Sequence, residues 1–593
     1  MRILKFALLP CVSVAALFAA AAEVDPKLYL DEVKYLASEQ MRGRGNGSPE
    51  LEKAAAFIAG KFAEFGLKPL DGSYMQAFPV TTNAKPGGSN HLRLEEGSHS
   101  AAIRFPDDFV PIVFSSAGKL HAGVVFAGFG VTSKDTNYDD YAGIDAKGKW
   151  VLILRHEPQE SRHTPNAQFS SKASNAKMHG AAGVLLINDT ALHPGDPDQL
   201  AKFSGGEGDS DLGIPFLQVK ADAVRPWFKE AGKDLDRIEA EIDKQMKPQS
   251  FAFPSAVEAD AEVDIKREVK TVHNVIGYLP GETAEYVILG AHYDHLGMGG
   301  AFSLKPDVVA VHPGADDNAS GTAGVIELAR WFSHQPKQKR GILFMTFAGE
   351  ELGLLGSAYW VAHPQLPLDK AVAMINMDMV GRIREGKVYI GGVGTGSTFR
   401  AMLDQITPKY KMKIDYAESE HGSSSDHTSF HVGKVPALFF FSGLHGDYHK
   451  PSDTADKIDA PDAAKLLDLV ADVTDTLRET NTRPQYIRVA PPSPGPITSS
   501  SGGSGYGPWF GSIPDFGEGV KGVKFADVRD GSPAAKAGFK AGDVMVDFDG
   551  KPITNLYDFT YALQSKKPGD EVMVKVLRDG KPLEAKVLLT KRP

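Results

Sequence analysis

The chain reads as an α/β protein: a mixed, mostly parallel sheet flanked by helices, carrying a β-rich insertion and a small C-terminal unit. Three observations predict this. Over residues 274–480, apolar runs of buried-strand length alternate with helix-length amphipathic segments. Over 101–261 the texture changes to short apolar runs, such as 123–129, 150–154 and 183–187, parted by Gly, Asp, Asn and Pro turns. From 482 to 508 a stretch rich in Pro, then Ser and Gly, reads as a tether, and short strands resume beyond it.

These changes divide the chain into a leader (1–22), a first part of the main domain (23–100), the insertion (101–261), the rest of the main domain (262–480), a linker (481–506) and a C-terminal unit (507–593). A length of 593 residues fits about four domains. The composition, 42% hydrophobic and 24% charged, is that of a soluble globular protein, and a net charge of −10 argues against nucleic acid as a partner. In the leader, Arg2 and Lys5 precede an apolar stretch over 6–18 and small residues over 19–22, the pattern of an export signal. The expected location is periplasmic or secreted, with no further membrane segment. The single cysteine, Cys11, lies in this leader. Any metal site must therefore use His, Asp and Glu.

In the main domain, Leu51, Ala55, Ile58, Phe62 and Phe65 recur at helical spacing and Gly66 ends the run. Strands are expected at 286–291, 342–348, 371–377, 388–391 and 435–441, and helices at 319–334 and 463–477. In the C-terminal unit one helix is expected near 556–563.

Four of those strands run into metal-capable residues. The first leads to His292, Tyr293 and Asp294, the second to Glu350 and Glu351, the third to Asp378, and the last to a loop with Tyr448 and His449. Asp316 and Asp317 lie at a turn before a helix, between the first two. Open α/β sheets bind ligands at the carboxyl ends of their strands. A lone Glu350–Glu351 pair could equally open a helix from Leu352; five positions converging on one sheet edge are not explained by turns and caps. His292, Asp317, Glu351, Asp378 and His449 supply two imidazoles and three carboxylates. With one bridging hydroxide they balance two Zn²⁺ ions, which one shared carboxylate would hold roughly 3.5–4 Å apart. Mixed N/O ligation suits zinc, with Co²⁺ or Mn²⁺ as substitutes. Asp294 is placed to orient His292 from behind.

The motifs GAHYDHLG, GADDNASG, GEELGLLGS, NMDMVG and YHKPSD, in this order, resemble the co-catalytic zinc exopeptidases, which include secreted bacterial leucyl aminopeptidases and glutamate carboxypeptidase-like enzymes. The resemblance implies that His292 and Asp378 hold one zinc, Glu351 and His449 the other, and that Asp317 rather than Asp316 bridges them. It implies a peptide substrate cleaved by an activated water, with Glu350 as general base and Tyr448 assisting the oxyanion. Ser423–His431 would be a loop near the substrate, with His427 as a contact. The insertion is similar to a protease-associated domain. The stretch GVKFADVRDGSPAAKAGFKAGDVMVDFDGKPI is similar to a PDZ domain, which binds an extended peptide as an added strand and so adds a peptide or protein ligand to the expected partners. Its carboxylate loop would lie near Trp509–Ser512.

Rival readings remain at this stage. A carboxypeptidase on the same scaffold would use Arg382 and Arg384 for the substrate carboxylate, a glutaminyl cyclase would use one zinc, and a receptor-like protein would lack ligands. In the insertion, His156 and Glu157 with His163 do not have the spacing of a zinc helix, and Pro158 would break one. No metal set is expected there.

Overall fold

The structure is a computed structural model that describes residues 24–133, 137–159, 167–193, 198–203, 211–254, 257–300, 302–305, 308–417, 425–489 and 508–590, with short breaks within the last range. The expected leader, most of the linker, His163 and most of the expected helix at 556–563 lie outside the described residues.

The main domain is built on an eight-stranded sheet. Its spatial order is Met75–Pro86, Ile265–Leu279, Gly341–Phe347, Tyr286–His292, Ala371–Met377, Ala437–Phe441, Lys387–Gly391 and Lys413–Tyr416. The four strands from Gly341–Phe347 to Ala437–Phe441 are mutually parallel, and antiparallel pairs flank them on both sides. Every residue of these four is buried, as expected for strands covered by helices on both faces. Gly321–Ser333 and the twenty-residue helix Ala460–Glu479 pack on the sheet and join one apolar core with Pro26–Leu36 and Pro49–Glu64. The fold class is as expected, and the strand limits differ from expectation by no more than two residues.

Two long strands were not expected. Met75–Pro86 and Ile265–Leu279 pair along almost their whole length. Between Lys266 and Thr271 the second strand is exposed and charged, so it carries no apolar run, and its buried part, Asn274–Gly277, is short. The helix expected from Leu352 starts at Leu355, because Leu354 takes a left-handed φ of 61° and breaks the helical path.

A second sheet of nine strands follows the order His99–Ile103, His91–Glu96, Val257–Val263, Gly118–Phe126, Trp150–Leu154, Gly183–Ile187, Phe216–Val219 and Phe109–Pro111, with Phe251–Ala252 beside Gly118–Phe126. The strands His91–Glu96 and His99–Ile103, which begin before residue 101, thus belong to this sheet, whereas Met75–Pro86 belongs to the main one. The C-terminal unit has a third sheet, closed around Phe510, Phe525, Phe539, Phe548 and Phe559. Phe510, in the stretch expected to form a carboxylate loop, is 1% exposed and part of that core.

Candidate metal centre

The parallel strands deliver their side chains to one edge. His292 is the last residue of its strand and lies in register with Phe347. Beyond Phe347 the chain turns at Gly349, whose φ of +74° and 3.1 Å clearance to Leu355 Cβ favour glycine. The carbonyl of Glu350 accepts from the N–H groups of Gly353 and Leu354, so Glu350 and Glu351 sit in a turn rather than in the helix. Asp378 directly follows the strand Ala371–Met377, and Tyr448 and His449 lie in the loop after Ala437–Phe441.

Asp317 is central to the cluster. Its Oδ1 is 3.4 Å from His292 Nε2, which is also 3.4 Å from Asp378 Oδ1. Its Oδ2 is 3.2 Å from His449 Nε2, which is 3.1 Å from Glu351 Oε2. The two carboxylate oxygens of Asp317 therefore face two separate imidazole–carboxylate pairs. Each ring is fixed from behind: His292 Nδ1 lies 3.2 Å from the carbonyl of Asp294, and His449 Nδ1 lies 2.9 Å from that of Phe302. A carbonyl only accepts, so both Nδ1 atoms donate and each Nε2 presents a lone pair to two carboxylates. Such a face is repulsive unless a cation or proton lies in it. His292 Nε2, Asp317 Oδ2 and Asp378 Oδ1 are buried without a hydrogen-bond partner. The separations of 3.1–3.4 Å match the spacing of about 3.3 Å between ligands on a tetrahedral zinc with bonds of about 2.0 Å. These residues fit a metal pair.

Glu350 stands beside the first group, with Oε2 4.0 Å from His292 Nε2. Burial, and then the charges of Glu351, Asp378 and Asp426, hold its carboxyl well above the usual range, against the opposing pull of His292. Its backbone is held by Asp294, whose Oδ1 accepts from Glu350 N–H at 3.2 Å and whose Oδ2 accepts from Glu351 N–H at 3.3 Å and from Asn46 Nδ2 at 2.7 Å. The Asp294 carboxylate is 3.7 Å from His292 Nδ1, farther than its own carbonyl. Its side chain thus chiefly shapes the Glu350–Glu351 turn. The Tyr448 ring stacks on His449 at 3.8 Å.

Several residues of the cluster were not singled out in the sequence. His295 Nδ1 holds Glu351 Oε1 at 2.7 Å, leaving Oε2 for His449. His295 also groups with Asp317 and Glu351 as a candidate ligand, but its Nδ1 is 3.9 Å from Asp317, against 3.2 Å for His449. We assign it to orienting Glu351. Asp453 Oδ2 accepts from the N–H groups of Asp316 and Asp317, and the buried Arg44 guanidinium donates to the carbonyls of Leu36, Tyr293, Pro313 and Gly314. Asp316 faces away from the pair: its Oδ2 lies 3.1 Å from His445 Nε2, and its Oδ1 accepts from Gly381 N–H. In the stretch Ser423–His431, of which 423–424 lie outside the described residues, His427 is fully buried and stacks on Phe439 at 4.5 Å. Asp426 stands at the N-cap of the helix His427–Val432 without a side-chain capping bond.

Residues 274–474 match peptidase family M28, residues 115–226 match the PA domain and residues 499–589 match the PDZ domain, as the resemblance implied. Aminopeptidase YwaD of Bacillus subtilis is 29% identical over 339 residues, covering 55% of this chain and 62% of that protein. A probable leucine aminopeptidase of Arthroderma otae is 34% identical over 206 residues, 32% of this chain and 52% of that protein. An aminopeptidase of Pseudomonas aeruginosa is 24% identical over 438 residues, 70% of each. The chain thus spans about half to two thirds of the length of the first two relatives. Among solved structures, an aminopeptidase from Aneurinibacillus sp. strain AM-1 aligns over 79% of this chain and 97% of its own, at 24% identity and a TM-score of 0.46.

Proposed function

We propose that this chain is an exported zinc exopeptidase that removes N-terminal residues from peptides. The observation that carries this reading is Asp317, whose two oxygens face the His292–Asp378 and Glu351–His449 pairs. In this reading those five residues hold two Zn²⁺ ions, with Co²⁺ or Mn²⁺ as substitutes. When bound, the metals supply Lewis acidity, lowering the pKa of water and polarising a peptide carbonyl.

The rest of the chemistry belongs to the chain. Glu350 accepts the proton of the attacking water at a carboxylate oxygen and returns it to the leaving amine. Its buried position and raised affinity for protons suit it to both halves of that cycle. Asp294 fixes the turn so that Glu350 faces the reacting carbonyl while Glu351 faces His449. The hydroxyl of Tyr448, on the ring stacked against His449, donates to the developing oxyanion.

Two observations favour an aminopeptidase over a carboxypeptidase. Arg382 Nη1 is held by Asp447 at 2.8 Å and lies 3.0 Å from His445 Nδ1, and Arg384 donates to the carbonyl of Leu444, so both arginines are engaged by the loop after Ala437–Phe441. The relatives named above are aminopeptidases. Export rests on the leader-like residues 1–22; among the described residues no helix is long and apolar enough to cross a membrane. The PDZ-like segment suits a peptide or protein ligand.

The test compares zinc-loaded protein on peptides with free and N-acetylated termini, with fragments read by mass. Single-residue loss from free N-termini, blocked by acetylation, is the expected result. Release from the C-terminus, indifferent to acetylation, would move the assignment to a carboxypeptidase.

A further inference from the structure

The two imidazoles of the proposed metal pair are held by different means. His292 donates from Nδ1 to the carbonyl of Asp294, two residues farther along its own chain. His449 donates from Nδ1 to the carbonyl of Phe302, 147 residues earlier in the sequence, at 2.9 Å. The backbone of His449 is left-handed, with φ 52°, a conformation that a residue with a Cβ keeps only where its surroundings hold it. A second contact with the same segment does so: the carbonyl of His449 accepts from Leu304 N–H at 2.9 Å. Residues 302–304 thus grip this histidine by ring and backbone at once.

That grip has a buried support. Ser303 lies between the two gripping residues, and the fully buried His312 stands behind it. His312 Nδ1 is 2.9 Å from the carbonyl of Ala310, which only accepts, so Nδ1 carries the proton and Nε2 offers a lone pair. Ser303 Oγ, 2.7 Å from that Nε2, therefore donates its one proton there rather than to the carbonyl of His449 at 3.4 Å. The same oxygen accepts from Lys305 N–H at 2.9 Å, closing the turn that aims the Phe302 carbonyl and the Leu304 N–H. His312 is fixed in its turn: its backbone N–H donates to the carbonyl of Gly297 at 2.9 Å, and a Cβ on Gly299 would come within 2.6 Å of its ring. Every side-chain polar atom of Ser303 and His312 thus has a partner, and the chain of contacts ends on His449.

We infer that Ser303 and His312 are positioning residues for His449: they set the turn whose Phe302 carbonyl fixes the His449 tautomer and whose Leu304 N–H holds its left-handed backbone. Neither touches the reacting atoms. The inference rests on the reading in which Glu351 and His449 hold one zinc and His292 and Asp378 the other, and it adds that the two differ in what secures them. The His292 ring is held by its own neighbour Asp294, outside this relay. Breaking the relay therefore weakens the zinc beside Glu351 and leaves the other in place.

The experiment titrates zinc out of the full chain with a chelator of known affinity and reads the bound metal by mass spectrometry. Ser303→Ala is expected to release one zinc about 10–100-fold more readily than the wild type, the range for residues that support a ligand, and to hold the second as before. Ser303→Thr, which keeps a hydroxyl, is expected to hold both as the wild type does. A merely structural contact would instead lower the melting temperature of the metal-free protein without separating the two affinities. Unchanged affinities in Ser303→Ala, or an equal fall in both, would overturn the inference. Should that variant fail to fold, His312→Phe keeps a ring against Gly299 and breaks the relay at its other end, and the same outcomes decide. A wild type that holds fewer than two zinc ions would bring down the metal pair itself and the inference with it, a failure visible before any variant is compared.

Discussion

The two sheets place chemistry-bearing residues in the same way and differ in how firmly they hold them. At the edge of the main sheet four parallel strands converge, and both imidazoles are pinned from behind by backbone carbonyls, so that each Nε2 must face carboxylates. At the edge of the second sheet two strands contribute, and His156 and His193 each turn Nδ1 toward the one carboxylate they share, Asp189. The first arrangement leaves three named atoms buried without partners and aimed at common points. In the second, one of the two contacts is a good hydrogen bond. Strand ends alone therefore gather metal-capable residues; in the proposed reading the fixed tautomers and the shared Asp317 carboxylate are what would make the first set a centre able to activate water.

Removing the feature peculiar to the first sheet should have the largest effect. Asp317→Asn keeps the shape of the bridge but halves its ligating power, and is expected to lose both active-site metals and all measurable turnover. Metal analysis with a peptide assay checks this, and a variant that keeps full activity would make Asp317 a bystander. Glu350→Gln should lower kcat by roughly 10²–10⁴-fold, the usual worth of a general base, while both metals stay bound. Loss of metal in that variant would mean that the Glu350 and Glu351 roles need exchanging.

A smaller effect is expected at His295, which holds Glu351 at 2.7 Å and lies farther, 3.9 Å, from Asp317. Its replacement by Gln should weaken metal binding by about 10–100-fold, the range for residues supporting a ligand, measurable as the zinc concentration needed for half-maximal activity. An effect as large as that of Asp317→Asn would promote His295 to a ligand.

The smallest lies away from both sheet edges, at Glu32. Burial, and then the charge of Glu327, raise its carboxyl from 4.5 to about 8, although Lys61 is nearby. The folded protein thus keeps this proton up to about pH 8, whereas the unfolded chain releases it near its ordinary value. Stability should fall as pH rises from about 4.5 to about 8 and level off beyond. Glu32→Gln should remove that slope, leaving stability near pH 5 little changed and raising it by roughly 1–3 kcal/mol at pH 9. Thermal melts at the two pH values check this, and equal slopes in both proteins would show that the group ionises freely.

The part of the site that can be read in the sequence is the part that follows an apolar run. His292, Glu350, Glu351 and Asp378 stand at or just beyond the ends of continuous buried strands, where α/β sheets put their ligands. Residues acting through the third dimension leave no such mark. Arg44 reaches the strand ends from a segment some 250 residues earlier, and Asp453 meets Asp317 through its backbone N–H. His295 lies in the same GAHYDHLG motif as His292, and its partner Glu351 becomes visible only when the two adjacent strands are paired. The strand Ile265–Leu279 is silent in the sequence for a different reason: its exposed half is rich in charge, so periodicity offers no signal there. In the second sheet, Glu157 and His163 are near His156 in sequence, whereas Asp189 and His193 are brought to it in space. Register between parallel strands brings those together, and register is not legible from one strand alone.

The most direct test of the account is a crystal of the zinc-loaded full chain measured across the zinc absorption edge. Two anomalous peaks are expected on either side of the Asp317 carboxylate, roughly 3.5–4 Å apart, one beside His292 and Asp378 and the other beside Glu351 and His449. A single peak there, or a pair that does not share Asp317, would contradict the two-metal centre.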